Sequence, residues 1–168
     1  LRGSNENEYA DWDGQRLILK EAVWKDEWAD AVYEATFAYG DIDTCCIYFR
    51  YQDEDNWYRA SLSGRDFDGT WPLAGLSFQK KIGGKIELID EYDDSIYPDP
   101  LDDGYKVFKL KVSADGDKFS AKVVPYDPIE NIFNDDDSSD EISFTDNSLR
   151  YGLAGIGFGH QGPYEEDT

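Results

Sequence analysis

Residues 44–63, TCCIYFRYQDEDNWYRASLS, alternate apolar and polar positions, break at an acidic tetrad, and then alternate again. Successive side chains of a strand point to opposite faces, so period-two alternation on both sides of a break predicts an antiparallel hairpin. With residues 53–56 as the turn, Gln52 pairs with Trp57, Tyr51 with Tyr58, Arg50 with Arg59 and Tyr48 with Ser61. In that register Cys45, Ile47, Phe49, Tyr51, Tyr58, Ala60 and Leu62 share a core face. Tyr48, Arg50, Trp57 and Arg59 share the other. Two guanidinium groups directly opposite each other repel, so this register calls for an anionic or strongly polar group across them.

The same reading extends along the chain. RLILKEAVW (16–24) contains a short strand, and DAVYEATFAY (30–39) alternates with Tyr33, Phe37 and Tyr39 on its inner side. Gly83 and Gly84 are a two-residue hairpin turn, placing Ile82 opposite Lys85, Lys80 opposite Glu87 as a solvent-side ion pair, and Phe78 opposite Ile89. A third hairpin turns at Asp115 and Gly116. It sets Phe108, Leu110 and Val112 on one face with Phe119, Ala121 and Val123, and Lys109, Lys111, Ser120 and Lys122 on the other, Lys109 opposite Lys122. That lysine face reads as a solvated surface balanced by nearby carboxylates. Acidic loops fill 91–104 and 127–141, ISFTD is a short strand, and LRYGLAGIGFGH closes the pattern. In this last stretch Ala154, Ile156 and Phe158 make an apolar face, while Gly155, Gly157 and Gly159 leave the opposite face bare for close approach. No ten-residue stretch has helical periodicity with caps. About ten short strands joined by turns predict an all-β, two-sheet antiparallel sandwich or barrel. Residues 1–10 are expected to be a disordered or vector-derived N-terminus, and 11–168 one β-sandwich domain.

Charge narrows the partners. Among 168 residues, 37 are acidic and 16 basic, a net charge of -21. Nucleic acid and anionic membranes are poor partners for such a surface, and no apolar run approaches the roughly 20 residues that cross a bilayer. Two loops have the mix of carboxylates and carbonyls that calcium takes. They are YPDPLDDG, with Asp99, Asp102 and Asp103, and NDDDSSDE, with Asp135 and Asp137. Neither has the spacing of a twelve-residue EF-hand loop, so Ca2+ is a compositional expectation, and a solvated acidic surface is its alternative. Cys45 and Cys46 are adjacent and do not make a disulfide framework. His160 is the only histidine, which disfavours a catalytic triad or a histidine-rich zinc site.

The segment CIYFRYQDEDNWYRASL is similar to a hairpin of the concanavalin A-like, or laminin G-like, jelly-roll domains of bacterial secreted proteins. There an FRYQD strand, a DN turn and a YYR strand follow one another. FQKKIGGKIELI resembles the next hairpin of such domains, and GLAGIGFG their glycine-rich late strand. The resemblance covers about residues 12–160 as an order of elements, and its specific part is the first hairpin. It implies a concanavalin A-like sandwich of about ten or more strands, often with one structural calcium, in an extracellular protein whose business is binding glycans. Relatives serve as carbohydrate-binding modules, as ligand-binding modules of surface adhesins, or as glycoside hydrolases and polysaccharide lyases. Such domains commonly finish on a further strand, whereas PYEEDT is not one. A permuted domain, an N-terminal segment in that role, or a segment cut from a larger chain with neighbouring domains would each account for this, and the last is the expectation.

The residues favour binding over catalysis. A hydrolase needs two carboxylates roughly 5–9 Å apart across a cleft, but Glu87 and Asp90 are three apart on a strand, and Asp140 and Glu141 are adjacent. A lyase pair of His160 and Tyr151 has no local support. Sugars are held by aromatic faces and forked donors, and Tyr48, Arg50, Trp57 and Arg59 offer that set. The expectation is a non-catalytic glycan-binding module using these four residues. A structural arginine–carboxylate lattice is the alternative for the residues. For the protein, the alternatives are a protein-binding or spacer module of a calcium-dependent adhesin and, after it, a hydrolase or lyase.

Overall fold

A computed structural model describes residues 15–18, 30–38, 44–63, 75–91, 107–135, 138 and 141–159. Among them are eleven strands. In chain order they are β1 (Gln15–Ile18), β2 (Ala31–Ala38), β3 (Thr44–Asp53), β4 (Asn56–Ser63), β5 (Gly75–Ile82), β6 (Lys85–Glu91), β7 (Val107–Asp115), β8 (Lys118–Asp127), β9 (Ile132–Phe133), β10 (Ile142–Thr145) and β11 (Leu153–Gly159). All pairings are antiparallel. One sheet runs β1-β11-β3-β4-β5-β6 and the other β10-β8-β7-β2, with β9 beside β8. The expected all-β two-sheet sandwich is the architecture.

Alternation builds the layer between the sheets. Cys45, Ile47, Phe49, Tyr58, Ala60 and Leu62 from the central hairpin are buried there, facing Phe108, Leu110, Val112, Phe119, Ala121 and Val123 of the β7–β8 ribbon. Phe49 joins the sheets: its ring lies 5.4 Å from Tyr58, 6.0 Å from Phe78, 6.1 Å from Tyr33 and 5.4 Å from Phe119. Each such pair adds about 0.5–1.5 kcal/mol beyond area burial.

Turn chemistry sets the registers. Gly83 and Gly84 have φ of 57° and 83°, the left-handed values of a tight hairpin turn. Ile82 is opposite Lys85 and Lys80 opposite Glu87 as expected, but a bulge after Phe78 puts that residue opposite Asp90 rather than Ile89. In the β7–β8 ribbon the turn lies one residue later than expected. Gly116, at φ 61°, takes the first turn position and Asp115 pairs with Lys118. The register moves by two, so Lys122 faces Lys111 instead of Lys109. An even slip keeps every side chain on its face. Carboxylates do balance the lysines: Glu34 lies 3.5 Å from Lys109 and 3.4 Å from Lys111, and Asp135 2.9 Å from Lys122.

Candidate ligand-binding face

The β3–β4 hairpin departs from its expected register at one place. Asp53 pairs with Asn56 across Glu54 and Asp55, consistent with the expected turn. Beyond it Phe49 faces Tyr58 and Tyr48 faces Arg59, so the strands slip by two between Phe49 and Asp53. Arg50 sits in this bulge at φ 47°, a left-handed conformation that strands do not otherwise use. The consequence is an exchange of faces. Tyr51, expected in the core, packs outward with Tyr48, Trp57 and Cys46. Arg50, expected outward opposite Arg59, turns inward. Its Nη1 donates to Leu149 O at 2.9 Å, its Nη2 donates to Gly116 O, and its guanidinium lies 4.6 Å over the Phe119 ring. Asp30 stands 3.6 Å away. Burial pulls the Arg50 pKa below the ordinary guanidinium value, with Tyr58, Tyr33, Asp30 and Asp117 acting in the opposite sense.

The other three predicted residues stay together on the outer face of the six-stranded sheet, with partners from adjacent strands. One row across the sheet is Gly155, Tyr48, Arg59 and Gln79, and the next is Gly157, Cys46, Ser61 and Ser77. Arg59 donates from Nε to Gln79 Oε1 at 2.8 Å, from Nη2 to the same oxygen, and from Nη1 to Tyr48 OH at 3.1 Å. Its guanidinium stacks 4.9 Å from the Trp57 ring, and Tyr48 meets Trp57 edge-on at 5.2 Å. Gln79 Nε2 points to Ser77 Oγ at 3.4 Å, and Trp57 Nε1 donates to Glu54 O at 3.2 Å. Gly157 makes room for this layer: a Cβ there would lie 2.7 Å from Cys46 Sγ and 2.8 Å from the Tyr48 ring. Tyr48, Trp57, Arg59, Ser61, Ser77 and Gln79 are all at most 2% exposed. Among the described residues, Ser61 Oγ is buried without a hydrogen-bond partner.

The described partners of Arg59 are therefore a neutral amide and a phenol, the strongly polar rather than the anionic form of the expected company. Gln79, Ser77, Ser61 and Cys46 were missed as site residues. Their signal is present in SFQKK, where Ser77 and Gln79 alternate with Phe78, but only cross-strand register places them beside Arg59.

Of the expected calcium ligands, Asp135 bonds Lys122, whose hydrogen bond and charge hold its carboxyl below the usual range. Asp99, Asp102, Asp103 and Asp137 lie outside the described residues. Among the described residues, no three His, Cys, Asp or Glu gather in a group that could hold a metal ion. His160 and Asp140 also lie outside them, and Tyr151 is exposed.

A second polar cluster closes the end of the core. Asp146 Oδ2 is 2.6 Å from Lys80 Nζ, while Asp146 Oδ1 accepts from Tyr58 OH and from Ser148 N at 2.7 Å. Leu149 N donates in turn to Tyr58 OH at 3.1 Å. Lys80 is thus not simply a solvent-side partner of Glu87, which lies 3.9 Å away. Burial would raise the Asp146 carboxyl, but the bonds from Lys80, Tyr58 and Ser148 outweigh it and hold it well below the carboxylate range. Burial, then the bond to Asp146, raises the Tyr58 phenol. A depressed carboxyl stabilises the fold fully above its unfolded value, about 4, and loses that contribution as pH falls through the folded one. The raised phenol contributes below about pH 10 and loses its contribution above that. Urea denaturation of wild type and Asp146→Asn is expected to differ by about 1.5–3 kcal/mol at pH 7, with the gap narrowing below pH ~4. A gap independent of pH would remove the ion pair as its cause.

The fold is similar to that of a tetrameric galectin from the ball sponge Cinachyrella sp., at 15% identity over 89% of this chain and 88% of that one, with a TM-score of 0.53. A CBM2 module of the evolved Dit of Lactobacillus casei BL23 phage J-1 is similar at 9% identity and a TM-score of 0.46, over 86% of this chain and 59% of that one. No protein-family model and no curated protein matches the chain. At such identities the galectin likeness is one of fold, and it agrees with a jelly-roll sandwich.

Proposed function

We propose that this chain is a non-catalytic glycan-binding module of an extracellular protein, and that the outer face of the six-stranded sheet is its binding surface. The observation that carries this reading is the contrast between the two outer faces. The five-stranded sheet carries lysine–carboxylate pairs on its outside. The six-stranded sheet carries a buried layer of Tyr48, Trp57, Arg59, Gln79, Ser61 and Ser77, and beside it the more exposed Tyr51, Leu88 and Ile86 offer the aromatic and apolar surface that a sugar would meet. Trp57 and Arg59 lie beneath the surface and hold it rigid. Tyr51, Leu88 and Ile86, on the same face and more exposed, are its rim.

The test is a glycan array followed by titration of any hit, run in calcium and in EDTA. Trp57→Ala removes a fully buried ring and endangers the fold, so Tyr51→Ala serves as the variant that spares it. Saturable binding is expected, weakened about fivefold by Tyr51→Ala. No retained glycan, or binding that Tyr51→Ala leaves unmoved, would sink the proposal for this face. A thermal midpoint unchanged between calcium and EDTA would count against a structural calcium in the domain.

A further inference from the structure

The sheets end in edges that are defended unequally. β1 and β10 have four residues each and β9 has two. β6 carries Lys85 and Glu87, and its ladder with β5 is broken by a bulge. Such devices keep an edge from pairing with another chain. β2 has fewer of them: its eight residues, AVYEATFA, carry one charge, Glu34, which pairs with Lys109 and Lys111 of its own sheet, contain no lysine, proline or glycine, and pair with β7 in unbroken register. No described strand lies on its other side.

The pattern of the ladder shows which groups this edge offers. Asp115 and Lys118 close a two-residue turn and so form a hydrogen-bonded pair. Bonding direction alternates along a strand, so the even-numbered residues of β7 bond towards β2, where they meet Ala31, Tyr33, Ala35 and Phe37. The backbone N–H and C=O of Val32, Glu34, Thr36 and Ala38 then point away from the sheet. Side chains at these four positions are exposed, Val32 at 58%.

We propose that β2 pairs with β2 of a second copy of this chain about a twofold axis at Ala35. Antiparallel self-pairing with hydrogen-bonded pairs among the outward-bonding residues allows a few registers. Centring on Glu34 sets two carboxylates face to face. Centring on Ala35 sets Val32 opposite Ala38 and Glu34 opposite Thr36 of the second copy, uses all four outward-bonding residues, and opposes no like charges. Inside, Tyr33 meets the second copy's Phe37, and one sheet runs through both copies. The net charge of -21 on each copy opposes the pairing, so dimer should grow with salt as the Debye length falls to about 3 Å at 1 M.

The experiment is sedimentation equilibrium on wild type, Thr36→Lys and Thr36→Glu in low and high salt. Within one copy Thr36 faces Lys109, so Glu there helps the monomer and Lys hinders it. Across the twofold axis the signs reverse, because position 36 faces Glu34. A monomer–dimer equilibrium is expected, about fivefold tighter for Thr36→Lys and about fivefold weaker for Thr36→Glu. A monomer at all concentrations and salts overturns the proposal. So does a dimer whose affinity the two variants leave unchanged or shift in the same direction.

Discussion

Gly152→Ala is expected to cost the folded state about 3 kcal/mol or more, a large part of the roughly 5–15 kcal/mol that holds a domain together. A Cβ at this position would stand 2.3 Å from Arg50 C, 2.6 Å from Tyr51 N and 2.7 Å from Arg50 Cα. All three are backbone atoms of the β3 bulge, so no side-chain rotation relieves the overlap. Either β11 moves away from β3 or the bulge straightens. A straightened bulge would return Arg50 to the outer face and Tyr51 to the core. Gly83 is the control. It has a left-handed φ of 57° and open space around its Cα, so Gly83→Ala pays only for its backbone conformation, about 1 kcal/mol. Urea denaturation of the two variants measures the difference. A Gly152→Ala protein within about 0.5 kcal/mol of wild type would mean that this contact does not fix the hairpin.

The same bulge marks where the sequence stopped being sufficient. Alternation along 44–63 placed Cys45, Ile47, Phe49, Tyr58, Ala60 and Leu62 in the core, and all six are there. The glycine pair at 83 and 84 named its turn and first cross-strand partners. Both signals are local, because strand periodicity and turn conformation depend on a few consecutive residues. A bulge breaks that locality. Nothing in FRYQD marks Arg50 as left-handed; the reason lies in Gly152, Leu149 and Gly116, which the topology brings close. Two of the four proposed ligand residues, Arg50 and Arg59, were read as a facing pair, and the bulge separates them across the thickness of the sheet. The outer layer was half legible for a related reason. Tyr48, Trp57 and Arg59 lie on one hairpin, whereas Gln79 and Ser77 join them only through the β4–β5 register. The Tyr58–Asp146 bond spans 88 residues and had no sequence signal at all.

Arg50 is the side chain that ties the bulge to the opposite sheet, and Arg50→Ala is expected to cost about 3–5 kcal/mol. It is 1% exposed, and its two carbonyl partners come from Leu149, just before β11, and Gly116, in the β7–β8 turn. Removal leaves both oxygens without their donor, at about 1–3 kcal/mol each where no water replaces it, and strips the Phe119 ring of its cation. The ion pair is the smaller part: Asp30 is 3.6 Å away with a side chain 61% exposed, so Asp30→Ala should change the contribution of Arg50 by less than about 1 kcal/mol. Arg50→Lys keeps the charge but presents a single ammonium where a planar fork reached two carbonyls, so it should recover only part of the loss. Because Gly152 and Arg50 act on one bulge, the double variant Gly152→Ala/Arg50→Ala should lose less than the sum of the two single variants. Urea denaturation of wild type and the five variants separates the contributions. Full rescue by Arg50→Lys, or strict additivity of the double variant, would show that charge or packing alone, rather than the bridge from the bulge to Leu149 and Gly116, is what Arg50 supplies.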